Sequence, residues 1–146
     1  MIVARVPRSC TLPAIAIAGA ALVSAASAQS AISVWDGVFT DEQVKRGQTT
    51  YQKECAGCHG SALEGGDMTP SLVGAAFTSN WNDLTLGDLF ERVRLTMPLD
   101  SPGRLSRQQN ADVIAYVLKT NEWPPGASEL PSDLGALKQI KIQATK

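Results

Sequence analysis

The sequence predicts an all-α fold, three main helices joined by loops, on three observations. Apolar residues recur at helical spacing in three stretches, and strand-like alternation is almost absent. Each of those stretches opens on a Ser or Thr followed three residues later by Gln or Asp. No internal repeat or low-complexity tract is present, and 146 residues fit one compact domain.

The N-terminal stretch reads as an address and not as structure. Arg5 and Arg8 make a positive start, and Leu12 to Val23 is an apolar run broken by Pro13 and Gly19. Ala26-Ser27-Ala28 then forms an A-x-A cleavage site. Residues 1–28 are therefore expected to be a signal peptide, cut before Gln29, which places the mature protein in the periplasm. A retained anchor is the alternative, but the run is shorter than the ~20 residues a spanning helix needs. Cys10 precedes the apolar run and leaves with the presequence, so the mature chain keeps Cys55 and Cys58. Without Arg5 and Arg8 the 13 basic residues become 11 against 14 acidic ones, a net charge of −3. That balance excludes a nucleic-acid footprint. With 5% aromatics the core is modest, the situation in which a cofactor that doubles as core material helps most.

Residues 29–127 are expected to form the domain and 128–146 a C-terminal extension. The first helix starts at Thr40, with Gln43 completing a capping box and Asp41 and Glu42 at the positive end of the dipole. Val44, Gly47 or Gln48, Tyr51 and Cys55 share one face. Gly47 costs about 1 kcal/mol relative to Ala inside a helix, which calls for close approach of another helix, and the last one is the expected visitor.

From His59 to Asn82 the chain carries Gly60, Gly65, Gly66, Pro70 and Gly74, which predicts wrapping loops with at most short helical turns. The second helix runs from Thr85, capped with Asp88, through Leu86, Leu89, Phe90, Val93 and Met97, and stops at Pro98. The third begins at Ser106 with Gln109 and presents Ala111, Val113, Ile114, Val117 and Leu118. It ends near Asn121, before Trp123-Pro124-Pro125-Gly126. The tail from Ser128 to Lys146 is expected to hold one turn around Leu134 and Leu137 and to lie as a strap over the surface.

Cys55-Ala56-Gly57-Cys58-His59 is the C-x-x-C-H haem-attachment sequence. Two thiols three residues apart on one helical turn reach the two vinyl groups on one porphyrin edge, and the next residue brings its imidazole beneath the ring. A thioredoxin-like dithiol requires a strand-first α/β context, which is missing. A zinc site requires further ligands, which are also missing. A disulfide is the remaining competitor in an exported chain, and the adjacent His59 favours haem c, one group held covalently by Cys55 and Cys58. His59 is the only histidine, which rules out bis-histidine ligation within the chain. The sixth ligand is then a methionine, a lysine, water or nothing. Met97 is favoured over Met68, because Pro98 breaks the helix there and a rigid loop aims the thioether, whereas Met68 follows His59 by nine residues in a Gly-rich loop. The carbonyl of Pro70 or of a neighbour is expected to accept the other imidazole N–H. Trp81, Arg92, Arg94 and Arg104 are donors available to the propionates.

Through Gly47, Tyr51, Cys55 to Gly60, Pro70 with Leu72 and Gly74, Met97-Pro98 and Ala115-Tyr116, about residues 40 to 125, the chain resembles the class I c-type cytochromes. Pro102-Gly103-Arg104-Leu105-Ser106 and Asn121 add similarity to the monohaem bacterial periplasmic cytochromes found beside quinoprotein dehydrogenases. The resemblance implies the cytochrome c fold, with the Gly/aromatic face of the first helix crossing the last helix. His/Met ligation raises the potential and leaves no open iron position. The expected function is thus an electron carrier between a dehydrogenase and a downstream cytochrome or oxidase, and not an enzyme. A permanently bound cytochrome subunit of a dehydrogenase complex is the second expectation, and a haem sensor or peroxidase with an open iron site the third. Stable membrane insertion after signal cleavage is not expected.

Overall fold

The structure, a computed structural model, describes residues 32–146; the presequence expected over 1–28, with Cys10, lies outside the described residues. Helix α1 (Asp41–Glu54) starts where Thr40 accepts the Gln43 N–H at 3.1 Å. The expected capping box is only half made. The Gln43 side chain turns inward and exchanges two hydrogen bonds with the backbone of Leu130, at 3.0 and 2.7 Å.

A single turn, α2 (Ala56–His59), follows directly, its amides at Cys58 and His59 bonding back to the Cys55 carbonyl. The long loop after it ends in α3 (Gly74–Trp81), two turns where at most short ones were expected. Val73 offers no side-chain cap, and the cap comes from another element: Asn121 Oδ1 accepts the Gly74 N–H at 2.9 Å. A cap supplied across space leaves no local sequence signal.

Helix α4 (Leu86–Thr96) carries the full Thr85/Asp88 box, and α5 (Arg107–Thr120) the full Ser106/Gln109 box. Met97 is the C-cap of α4, with Pro98 immediately beyond it. Helices α1 and α5 cross at Gly47, where a β-carbon would lie 1.8 Å from the Asp112 carbonyl oxygen, so only glycine permits the approach. Tyr51 and Tyr116 pack beside that crossing with ring centroids 5.3 Å apart.

The tail departs from the expected surface strap. After the turn α6 (Leu134–Leu137) it forms β2 (Ile140–Lys141), parallel to β1 (Ile32–Ser33), and Leu130, Leu137, Ile140 and Ile142 enter the core. The indoles of Trp35 and Trp123 both donate to the Gln143 carbonyl, at 3.0 and 3.1 Å. Apolar residues spaced along the tail are thus core material, which a small, aromatic-poor domain needs. Among the described residues no helix is long and apolar enough to cross a membrane.

Candidate functional site

A cavity of about 820 Å³ opens between α2, the loop behind it, α3, α4 and α5. That volume lies within the range of about 300–1,000 Å³ usual for cofactor pockets. Cys55, Cys58 and His59 line it, as do Pro70, Trp81, Met97 and Arg104. These seven, together with Met68 and Arg92, are brought to one space, and of the site residues that the sequence singles out Arg94 alone is not on the lining. Apolar side chains from the core form the floor: Phe77, Leu89, Val113, Ile114 and Val117.

The local backbone explains the first three. With Cys55 capping both α1 and α2, the four-residue turn sets the two cysteines three positions apart and His59 beside the second. Nothing lies within 4 Å of where a β-carbon on Gly57 would sit, so the turn's outer side is open. His59 is buried, and its Nδ1 lies 3.1 Å from the Pro70 carbonyl oxygen. With Nδ1 carrying the proton toward that acceptor, Nε2 remains as the nitrogen with a lone pair. Tyr51, from α1, donates its hydroxyl to the Gly60 carbonyl at 2.7 Å, pinning the end of the turn. Burial pushes the Tyr51 phenol well above its ordinary range, so it stays a donor.

Both thiols are free. Burial, and secondarily the charge of Glu54, pushes the Cys55 thiol up to about 11. A dithiol oxidoreductase needs the opposite, a thiolate favoured near neutrality. Among the described residues no group of three or more His, Cys, Asp or Glu side chains is placed to hold a metal ion.

The rim is polar. Arg104 pairs with Glu54 and, at 3.5 Å, with Asp100. Glu54 also lies 3.5 Å from Lys53. Arg92 lines the cavity and is exposed; Arg94 does not line it, and its Nε is buried without a hydrogen-bond partner. The two methionines differ sharply. Met97 is half-buried at the end of α4, while Met68, also on the cavity edge, is 96% exposed.

Two contributors were not anticipated. Glu54 could be suspected only from its place beside Cys55, and Asn121, seen as the end of a helix, gives no hint of its reach to the loop at Leu72 and Gly74.

The donor set and the cavity fit a haem. Paired free thiols and a buried imidazole with one nitrogen already engaged stand on the wall of a largely apolar space, with a half-buried thioether on the same lining. The family model described as "Cytochrome C oxidase, cbb3-type, subunit III" matches residues 42–117. No curated protein matches the sequence. Among solved structures, the sulfane dehydrogenase SoxCD from Paracoccus pantotrophus is similar at 22% identity and a TM-score of 0.49, over 73% of this chain. The match spans 61% of that chain.

Proposed function

Because the chain belongs to the c-type cytochrome family described as cytochrome c oxidase, cbb3-type, subunit III, we propose that it works as a periplasmic monohaem carrier. It is a class I c-type cytochrome, an electron-transfer protein with the cytochrome c fold. In this reading it accepts an electron from a dehydrogenase and passes it to a downstream cytochrome or an oxidase.

The observation that carries the proposal is the turn Cys55–His59 on the wall of the apolar cavity, with the Pro70 carbonyl 3.1 Å from His59 Nδ1. Cys55 and Cys58 would hold the haem through thioethers, and the His59 imidazole and the Met97 thioether would be the groups offered to its iron. Bound there, the haem supplies one-electron exchange between ferric and ferrous iron. Pro70 fixes the imidazole and raises its basicity by accepting the Nδ1 proton's hydrogen bond. Phe77, Leu89 and Ile114 exclude water, which keeps the charge change in a low-dielectric setting. Arg104 and Trp81, both on the cavity lining, would be donors to the propionates. The ion pairs of Arg104 with Glu54 and Asp100 make it a shared donor instead of a free one.

The free carrier is favoured over a permanently docked subunit on one observation. A docking role for residues 128–146 needs exposed apolar side chains, and Leu130, Leu137, Ile140 and Ile142 are committed to the core. The periplasmic placement rests on the presequence, Arg5, Arg8 and Ala26-Ser27-Ala28.

The test is an absorption spectrum of the full-length protein, oxidised and reduced, with and without carbon monoxide, for the wild type, Met97→Ala and Met68→Ala. We expect the wild type to be inert to carbon monoxide. Met97→Ala should keep its covalent haem, bind carbon monoxide rapidly and fall in potential, while Met68→Ala behaves as wild type. Rapid binding by the wild type would instead favour an open-site sensor or peroxidase.

A further inference from the structure

We infer that Asn121, at the end of α5, is a positioning residue for the His59 imidazole: it holds the Leu72–Gly74 segment so that the Pro70 carbonyl stays in reach of Nδ1. The inference rests on the reading of His59 as an iron ligand.

The carboxamide of Asn121 is used at both ends. Nδ2 donates to the Leu72 carbonyl at 2.9 Å and to the Val117 carbonyl at 2.9 Å, and Oδ1 accepts the Gly74 N–H at 2.9 Å. Two carbonyls on one side and an N–H on the other leave a single orientation of the amide that satisfies all three. Leu72 is two residues from Pro70, whose carbonyl oxygen is 3.1 Å from His59 Nδ1.

The other polar ties of this segment run within the loop. The Leu72 N–H goes to the Leu63 carbonyl at 2.8 Å, and the Ser71 hydroxyl spans Leu63 and Val73. Gly65 packs under the same stretch, where a β-carbon would come within 2.6 Å of Ser71 N and Thr69 O. Leu63, in the core, and Leu72 and Val73, packed against it, seat the loop on the domain by apolar contact. Asn121 adds the directional tie, because Val117 is itself on the cavity floor and α5 is the helix that crosses α1 at Gly47. The side chain therefore references the acceptor of the His59 proton to the helix that makes the close α1–α5 crossing at Gly47. The bond to Leu72 is the arm nearest Pro70, and the bond to Gly74 caps α3.

When the acceptor drifts, His59 loses imidazolate character and becomes a weaker donor, which favours the reduced form. The experiment uses the haem-loaded full chain and reads two quantities. One is the midpoint potential, and the other is the exchange rate of the His59 Nδ1 proton by NMR in the reduced state. Asn121→Ala is expected to raise the potential by up to a tenfold change in the equilibrium constant, 59 mV for one electron, and to speed proton exchange at least tenfold. Asn121→Asp retains the acceptor for the Gly74 N–H and loses both donated bonds. It should fold with α3 capped and still shift both readouts. Thr120→Ala removes a bond from the same helix end to the Tyr116 carbonyl, 2.8 Å, without touching the loop, and should shift neither.

Wild-type values in both Asn121 variants overturn the inference, as do equal shifts in Thr120→Ala. A wild-type chain carrying no haem on Cys55 and Cys58 defeats the proposed function and this inference together, whereas loaded protein with unchanged Asn121 variants defeats this inference alone.

Discussion

Gly47 shows how far a single residue is readable. Its place inside a helix called for a close neighbour, and the neighbour is the Asp112 carbonyl, with Tyr116 Cβ 3.1 Å from where a β-carbon would lie. The obstacle is backbone, which cannot swing aside. Gly47→Ala should therefore cost about 3 kcal/mol, at the upper end for overpacking, seen as a lowered midpoint in chemical denaturation; a change below about 0.5 kcal/mol, the scale of neutral surface substitutions, would mean that the helices do not cross there. Cys55, Cys58 and His59 were legible as a motif, because their spacing along the chain is itself the signal, and the turn α2 then sets them on the cavity wall. An acceptor for His59 at Pro70 or a neighbour was expected, and which of them faces the ring, Pro70 with its carbonyl 3.1 Å from Nδ1, is decided by the fold of the loop. Arg104 was not fully legible: nothing local announces that Glu54 and Asp100, four residues before it, converge on its guanidinium.

At the scale of elements, the helices with their own Ser or Thr caps, α1, α4 and α5, stood out in the sequence, and α3 did not, because its cap is borrowed from Asn121. The Thr85/Asp88 box of α4 yields a pH-dependent expectation. The hydrogen bonds from the Thr85 hydroxyl, 2.7 Å, and backbone, 2.8 Å, hold the Asp88 carboxyl below its usual range. An acid depressed in the folded state contributes stability above its unfolded value, about 3.9, and loses it as pH falls through the folded value. Thr85→Ala should cost about 1 kcal/mol at neutral pH, and the difference from wild type should shrink below pH 4. Thermal unfolding from pH 7 down to pH 3 checks both, and a difference that grew on acidification would contradict the assignment.

For the whole molecule, the tail is the main departure from what the sequence led one to expect. Isolated apolar residues among polar ones read as a surface strap, because pairing of β2 with β1 joins segments more than a hundred residues apart, which no local pattern reveals. The Asp83 N–H bonds to the Ile142 carbonyl and the Ile142 N–H to the Leu84 carbonyl, both at 2.9 Å, so the tail also braces the segment behind the cavity rim. Arg46 ties α1 to both α5 and the tail, through Asp112 at 3.0 Å and Glu129 at 2.9 Å. Burial of Leu130, Leu137, Ile140 and Ile142, at about 1.5–3 kcal/mol each, amounts to about 6–12 kcal/mol, comparable with the ~5–15 kcal/mol that separates folded from unfolded domains. Removing residues 128–146 should abolish cooperative unfolding by circular dichroism, and a truncated chain with wild-type thermal stability would return the tail to the status of an appendage.

The measurement that bears most directly on the central claim is the intact mass of the full-length chain, matured in a host with working haem-ligation machinery. We expect polypeptide plus one haem that survives acid denaturation, and bare polypeptide from the Cys55→Ala, Cys58→Ala double variant. An unmodified wild-type mass, or haem retained when both cysteines are gone, would contradict covalent attachment at this turn.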